Sequence, residues 1–430
     1  MRLPLRASHQ PPSTSLPDNS LPVPFQLKAA AAVAATTTNL PFKKSQLSWI
    51  RLKHDSPAQC ELPKLRRKWM EYQGSSNWDG MLDPLDDTLR HEILRYGQFV
   101  DAAYRSFDFD MSSPTYAMSR FPKRSLLSQS GIHKSGYRIT RNLRATCGIH
   151  LPKWLDRVPW KFSLSSWIGY VAVCHDKGEI ARLGRRDVVI SLRGTSTCLE
   201  WLENARAALT SLPEDMGGKG GEAMVEKGFL SLYTSKTPKT PSLREMVREE
   251  VKKIIRSYGD EPLSLTLTGH SLGAALAILS AYDIATTFKN NAPMVTVVSF
   301  GGPRVGNESF RRRLEQSGTK ILRIVNSDDV ITKVPGFVAR SDDVAGDGVA
   351  QVGRLPEWLH KRVEDLQWVY ADVGQELRLS SRESPNLKNL DLATCHDLKT
   401  YLLLVNDFVS SKCPCCTTKT KQYPTAQACL

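Results

Sequence analysis

The chain has 430 residues, a formal net charge of +14, and 41% hydrophobic against 24% charged residues. That balance excludes a wholly disordered chain, and the lack of any uncharged apolar run of ~18 residues excludes a conventional transmembrane helix. Nine cysteines spread over this length exclude a disulfide-rich secreted scaffold.

Residues 1–50 read as a chloroplast transit peptide and leader. The stretch is rich in Ser, Thr, Pro and Ala, as in Pro11–Ser15 and Ala29–Thr38, and is nearly free of acid. Seven bases against Asp18 and Asp55 give residues 1–60 a net +5, which leaves +9 on the remainder. Hydroxyl residues outnumber arginines, which favours the plastid over the mitochondrion. No Leu-rich segment follows Arg2, so a secretory signal is not expected.

The folded part is expected over residues 60–410, beginning near Arg67. Leu89, Ile93, Tyr96, Val100, Ala103 and Tyr104 recur at helical spacing behind the cap Asp86-Asp87-Thr88. The basic stretch Lys123–Arg144 shows little pattern and reads as loop-rich. Strands are predicted at Ile168–Val173, Val188–Leu192, Leu263–Leu267, Val295–Phe300 and Ile321–Val325. Helices are predicted at Leu199–Leu209, Ala274–Phe288 and Tyr401–Val409. Strands alternating with helices predict an α/β fold with a mostly parallel central sheet and flanking helices. Residues 411–430, with Cys413, Cys415 and Cys416, read as a polar tail and not as a metal site.

One segment carries the chemistry. Gly269-His270-Ser271-Leu272-Gly273 lies between a predicted strand and an Ala-rich helix, the setting of a nucleophile elbow in an α/β-hydrolase. The turn is so tight that the positions flanking the serine by two must be small, as Gly269 and Gly273 are. A serine needs a base. Of the histidines downstream, His396 precedes an apolar helix and His360 sits among charged neighbours, so His396 is the better candidate. The orienting acid is expected between serine and histidine in the chain, and Asp328-Asp329 follows a predicted strand. Asp342, Asp343 and Asp347 are rivals without a strand before them. Leu272, opening the helix, offers one backbone N–H to an oxyanion. Thr195, at the end of the strand leading to Leu192-Arg193-Gly194-Thr195-Ser196, offers another.

These motifs together resemble the class 3 (fungal-type) lipases, and within them the plant plastid phospholipase A1 group. The likeness rests on Leu192–Thr197, the Thr268–Gly273 elbow, Phe300-Gly301-Gly302-Pro303-Arg304-Val305-Gly306-Asn307, Asn326 with Asp329 three residues on, and His396-Asp397-Leu398. It implies an α/β-hydrolase fold with a short lid at roughly Ser196–Leu209, carrying Trp201 and Leu202 towards the lipid interface. It also implies that Asp329, not Asp328, is the acid, and that Thr195 is an oxyanion residue. The implied activity is release of the sn-1 acyl chain of phospholipids, extending to galactolipids and triacylglycerols, with no metal or organic cofactor. A membrane lipid is then the substrate and a membrane surface a peripheral contact. No nucleic-acid partner is expected, since the chain has no zinc-finger, RNP or Walker signature. A small-ester or feruloyl-type esterase and a non-catalytic lipase-like interaction protein remain as alternatives.

Overall fold

The computed structural model of the chain describes residues 64–133, 135–146, 165–194, 208–218, 221–335, 370–384, 387 and 391–411. The leader at 1–50, the segment 195–207, His360, the rival acids Asp342, Asp343 and Asp347, and the cysteine-bearing tail from 412 onward lie outside them.

Among the described residues a seven-stranded sheet runs in the order β1 (Tyr137–Thr146), β2 (Ser165–Cys174), β3 (Arg186–Leu192), β6 (Leu263–His270), β7 (Met294–Phe300), β8 (Lys320–Asn326) and β9 (Gln375–Leu379). A separate two-stranded ribbon pairs β4 (Leu209–Ser211) with β5 (Met224–Glu226). The β1–β2 and β2–β3 pairs are antiparallel, and every pair from β3 to β9 is parallel. The parallel strands therefore end together, and β3, β6, β7, β8 and β9 deliver Arg193, Ser271, Gly301, Ser327 and Ser380 to the same edge of the sheet.

Among the described residues the helices longer than one turn are α1 (Asp87–Ser106), α2 (Lys177–Leu183), α3 (Lys227–Thr234), α4 (Leu243–Tyr258), α5 (Leu272–Phe288), α6 (Glu308–Gln316), α7 (Leu392–His396) and α8 (Leu398–Asp407). Alternation along the strands sorts the core onto two faces. Val188, Ile190 and Leu192 pack with residues of α3, α4 and α5. Val189 joins Phe300, Ile324 and residues of α1 and α8 on the opposite face. α5 is buried along nearly its whole length, as its run of Ala and Leu allows.

Three expectations are corrected. The stretch Lys123–Arg144 is not loop-rich, because β1 occupies its second half and continues to Thr146. Arg138, Arg141 and Arg144 mask the pattern. On this edge strand they reach solvent or polar partners while Ile139, Leu143 and Ala145 point into the core. The helix expected at Leu199–Leu209 falls mostly outside the described residues, and its last residue, Leu209, opens strand β4. His396 closes the short helix α7, two residues before Leu398 opens α8, which runs to Asp407 where the helix was expected over Tyr401–Val409. Strand β9 had no counterpart in the sequence reading. Its Arg378 interrupts the apolar run, while Leu377 and Leu379 are buried.

At the sheet end opposite Ser271 lies a buried charged network. Arg95 Nη1 is 3.0 Å from Asp187 Oδ2, and Arg95 Nη2 is 2.6 Å from Glu92 Oε2. Arg185 approaches both carboxylates at 3.6 and 3.7 Å, and Tyr137 and Ser264 donate to Asp187. Two guanidiniums thus balance two carboxylates. Burial pushes Asp187 up, but Arg185 and Arg95 outweigh it and hold the carboxyl below the usual range; Glu92 behaves likewise, with burial opposed by Arg95. Replacing Asp187 with Leu leaves Glu92 to face both guanidiniums, one buried positive charge uncompensated, and is expected to cost about 3–5 kcal/mol. The depressed folded pKa makes the contribution of Asp187 complete above its unfolded value, about pH 4, and lost as pH falls through the folded value. Urea unfolding of wild type and variant at neutral pH and in acid checks this: the difference must be largest at neutral pH.

Candidate active site

Ser271 sits where β6 turns into α5. Its backbone has φ 57° and ψ −127°, a region that L-residues avoid and that a tightly packed elbow must impose. The neighbouring glycines show why. A Cβ on Gly269 would fall on the Gly273 backbone, and a Cβ on Gly273 would fall on the carbonyls of Leu192 and Arg193. Ser271 N–H donates to Phe300 O at 3.0 Å, which ties the elbow to the end of β7. The serine is 1% exposed. Its Oγ is buried and makes no hydrogen bond among the described residues. Such bonds are often open in a substrate-free site.

Asp329 follows β8 by three residues and is buried. Its Oδ2 accepts from His396 Nδ1 at 2.7 Å and from Tyr401 O–H at 2.6 Å, and its Oδ1 accepts from Ile331 N–H at 2.9 Å. Three donors fix the orientation of the carboxylate. Asp328 points elsewhere: it accepts from Ser381 N–H at 2.9 Å and pairs with Arg382 at 2.9 Å. Asn326 secures the surrounding loops, its Nδ2 donating to Ser381 Oγ at 2.5 Å and to Cys395 O at 2.9 Å. That second bond holds the backbone immediately before His396.

The strand end at Arg193-Gly194 closes the other side. A Cβ on Gly194 would come within 3.0 Å of Ser271 Cβ and 2.8 Å of His270 O, so the chain passes directly beside the serine. Leu272 is the first residue of α5, where backbone N–H groups have no intrahelical partner and the helix dipole is positive.

The family model described as "Lipase (class 3)" matches residues 189–339, which contain the end of β3, the elbow and Asp329. The chain is 60% identical over 397 residues to a protein of Arabidopsis thaliana named phospholipase A(1) DAD1, chloroplastic. The match covers 89% of this chain and 88% of that relative. The chain belongs to the class 3 lipase family. Two further Arabidopsis thaliana relatives are phospholipase A1-Igamma2, chloroplastic, at 41% identity over 80% of this chain and 66% of the relative, and galactolipase DONGLE, chloroplastic, at 39% identity over 80% and 70%. The fold is the α/β-hydrolase fold, and the protein is a carboxylic ester hydrolase.

Of the residues singled out in this lipase from sequence, the structure brings Asp329 onto His396 and seats Ser271 and Leu272 at the elbow. Thr195, Trp201 and Leu202 lie outside the described residues.

Two further residues escaped the sequence reading. Tyr104, on α1, donates its O–H to His270 Nδ1 at 2.8 Å and accepts from Gly194 N–H at 2.9 Å. His270 Nε2–H in turn donates to His396 O at 2.7 Å. The carbonyl can only accept, which fixes the tautomer and makes His270 Nδ1 the acceptor. Burial and the nearby His396 ring hold the His270 pKa well below the usual histidine value, so the ring is neutral. Tyr104 and His270 thereby bracket the site, linking the Arg193-Gly194 turn on one side of Ser271 to the His396 backbone on the other. The adjacency of His270 to the serine was visible in sequence; Tyr104, 166 residues away, left no signal.

Tyr104→Phe keeps the ring and removes the bridging hydroxyl. It is expected to lower kcat about 10- to 100-fold with KM little changed, the pattern for lost transition-state positioning. Steady-state kinetics on a soluble ester would check this, and an unchanged kcat would contradict it.

Proposed function

We propose that this class 3 lipase is a chloroplast phospholipase A1 that releases the sn-1 fatty acid of membrane phospholipids, and of galactolipids and triacylglycerols, through a Ser271–His396–Asp329 triad. The observation that carries the reading is the Asp329–His396 bond at 2.7 Å, with the His396 ring 4.7 Å from that of His270, the residue before the strained Ser271. The relatives' names support the substrate class and the compartment. Among the described residues no helix is long and apolar enough to cross a membrane. Residues 1–50 serve as the transit peptide, 60–410 as the catalytic domain, and 411–430 as a polar tail.

In this reading Ser271 Oγ attacks the ester carbonyl while His396 Nε2 takes its proton. Asp329 holds the imidazole through Nδ1 and stabilises its charged form. Backbone N–H groups of Leu272 and Thr195 stabilise the tetrahedral oxyanion, a contribution of ~3 kcal/mol per donor. His396 then returns the proton to the leaving lysolipid oxygen. Water, deprotonated by His396, hydrolyses the acyl-enzyme and frees the fatty acid. Trp201 and Leu202 act as lid residues at the lipid interface.

Purified protein assayed side by side on phosphatidylcholine, galactolipid, triolein and p-nitrophenyl butyrate tests the reading. Lipid hydrolysis with phosphatidylcholine or galactolipid preferred is expected. Turnover of p-nitrophenyl butyrate alone would make the protein a small-ester esterase, and turnover of none would make it a non-catalytic member of the family.

A further inference from the structure

Six large hydrophobic side chains stand exposed among the described residues. Four of them, Phe109, Met111, Tyr116 and Met118, fall within one stretch after α1, with Met111 66% exposed. Of the loop's polar side chains, Asp108 turns inward while Asp110 and Ser112 share the exposed face with the apolar ones. The Asp108 carboxylate is nearly buried and accepts from Ser113 Oγ at 2.5 Å and Thr115 Oγ1 at 2.7 Å. Asp108 N–H donates to Met118 O, Ala117 N–H donates to Asp108 O, and Trp167 N–H of β2 donates to Ala117 O. The loop is thus pinned at its base from within and presents apolar side chains without needing to be ordered first.

Its position is what gives it meaning. Phe107 begins three residues after Tyr104, the residue that bonds His270 and Gly194. The Arg193 guanidinium lies 3.4 Å over the Phe107 ring and 5.9 Å from that of Phe109, and it donates to Gly194 O. The loop therefore abuts the Arg193-Gly194 turn that passes Ser271. Exposed Arg120, Lys123 and Arg124 follow it directly.

We propose that the loop Phe109–Met118 is a membrane-docking surface that inserts Phe109, Met111, Tyr116 and Met118 into a lipid interface and holds the active-site mouth against it. The inference rests on the lipid-hydrolase reading of the same site and names the surface that site uses. A lipid surface fits better than a protein. Four side chains on one short loop are far below the ~800 Å² per partner of a stable protein interface, whereas apolar side chains flanked by bases suit the boundary between acyl chains and headgroups. A lipid surface also supplies what Ser271 acts on, while a protein docked there would stand in its way.

The test uses the full chain carrying Met111→Ser and Tyr116→Ser together, with Met70→Ser as the control for an exposed methionine elsewhere. Binding is measured by co-sedimentation with phosphatidylcholine–phosphatidylglycerol vesicles, in a Ser271→Ala background so that no lipid is consumed. Hydrolysis is measured with Ser271 intact, on the same vesicles and on p-nitrophenyl butyrate. The double variant is expected to lose about tenfold or more in vesicle binding and vesicle hydrolysis, with p-nitrophenyl butyrate turnover within about twofold of wild type. Met70→Ser should change none of these, and Met111→Trp should bind more tightly. Undiminished vesicle binding by the double variant would overturn the proposal. So would equal losses on vesicles and soluble ester, which would mean that the loop supports the catalytic pocket or is covered by another part of this chain. A wild type that turns over p-nitrophenyl butyrate but no lipid would sink the proposed substrate, and the binding arm would still decide the docking surface.

Discussion

Ser271→Ala is expected to reduce hydrolysis of every ester substrate by about five to six orders of magnitude while leaving the fold intact. The side chain is buried, and its Oγ makes no hydrogen bond among the described residues, so its loss breaks no contact there. The strain at φ 57° is imposed by the packing of Gly269 and Gly273 against their neighbours and remains when the hydroxyl is gone. Thermal unfolding should therefore match that of wild type. Residual turnover within tenfold of wild type in a folded variant would move the nucleophile elsewhere.

Asp329→Asn and Asp328→Asn are expected to separate by about three orders of magnitude in kcat. An amide at 329 that keeps its oxygen on Ile331 N–H turns its NH₂ to His396 Nδ1 and favours the wrong tautomer, a change that costs ~10⁴ in a triad. Tyr401 O–H shares the same oxygen at 2.6 Å, so the amide must also satisfy that donor. Asp328 pairs with the exposed Arg382 and caps Ser381 N–H. Its amide should cost at most about 1 kcal/mol of stability, in the range of a partly exposed ion pair. Kinetics on p-nitrophenyl butyrate check the ranking, and the reverse order would place the acid at Asp328.

The elbow was legible because its requirement is local: small residues two positions either side of a serine, a strand before and a helix after. Asp328 and Asp329 were not separable by position alone, since both follow β8. Only the turn into the 3₁₀ segment Val330–Lys333, which Asp329 caps, points one carboxylate inward and the other out to Arg382. Strand β1 was hidden because its arginines lie at an edge, where a charged side chain and a pleated backbone coexist. The Phe300–Asn307 motif carried the family likeness, and its residues here pack and cap. A Cβ on Gly302 would meet Ala274 Cβ at 2.8 Å, and Asn307 Oδ1 accepts from Phe310 N–H at the start of α6. Tyr104 and the apolar loop after it stayed silent because their roles arise from contacts with His270 and Arg193, far along the chain. A tyrosine at helical spacing reads as core until its hydroxyl has somewhere to go.

The central claim, hydrolysis at the sn-1 ester by Ser271, is tested most directly with a phosphatidylcholine bearing different acyl chains at sn-1 and sn-2. Wild type and Ser271→Ala protein are incubated with it, and the free acids are identified by mass spectrometry. Wild type is expected to free the sn-1 acid first, and the variant to free neither above background. Release of the sn-2 acid first, or equal release by the Ser271→Ala protein, would contradict it.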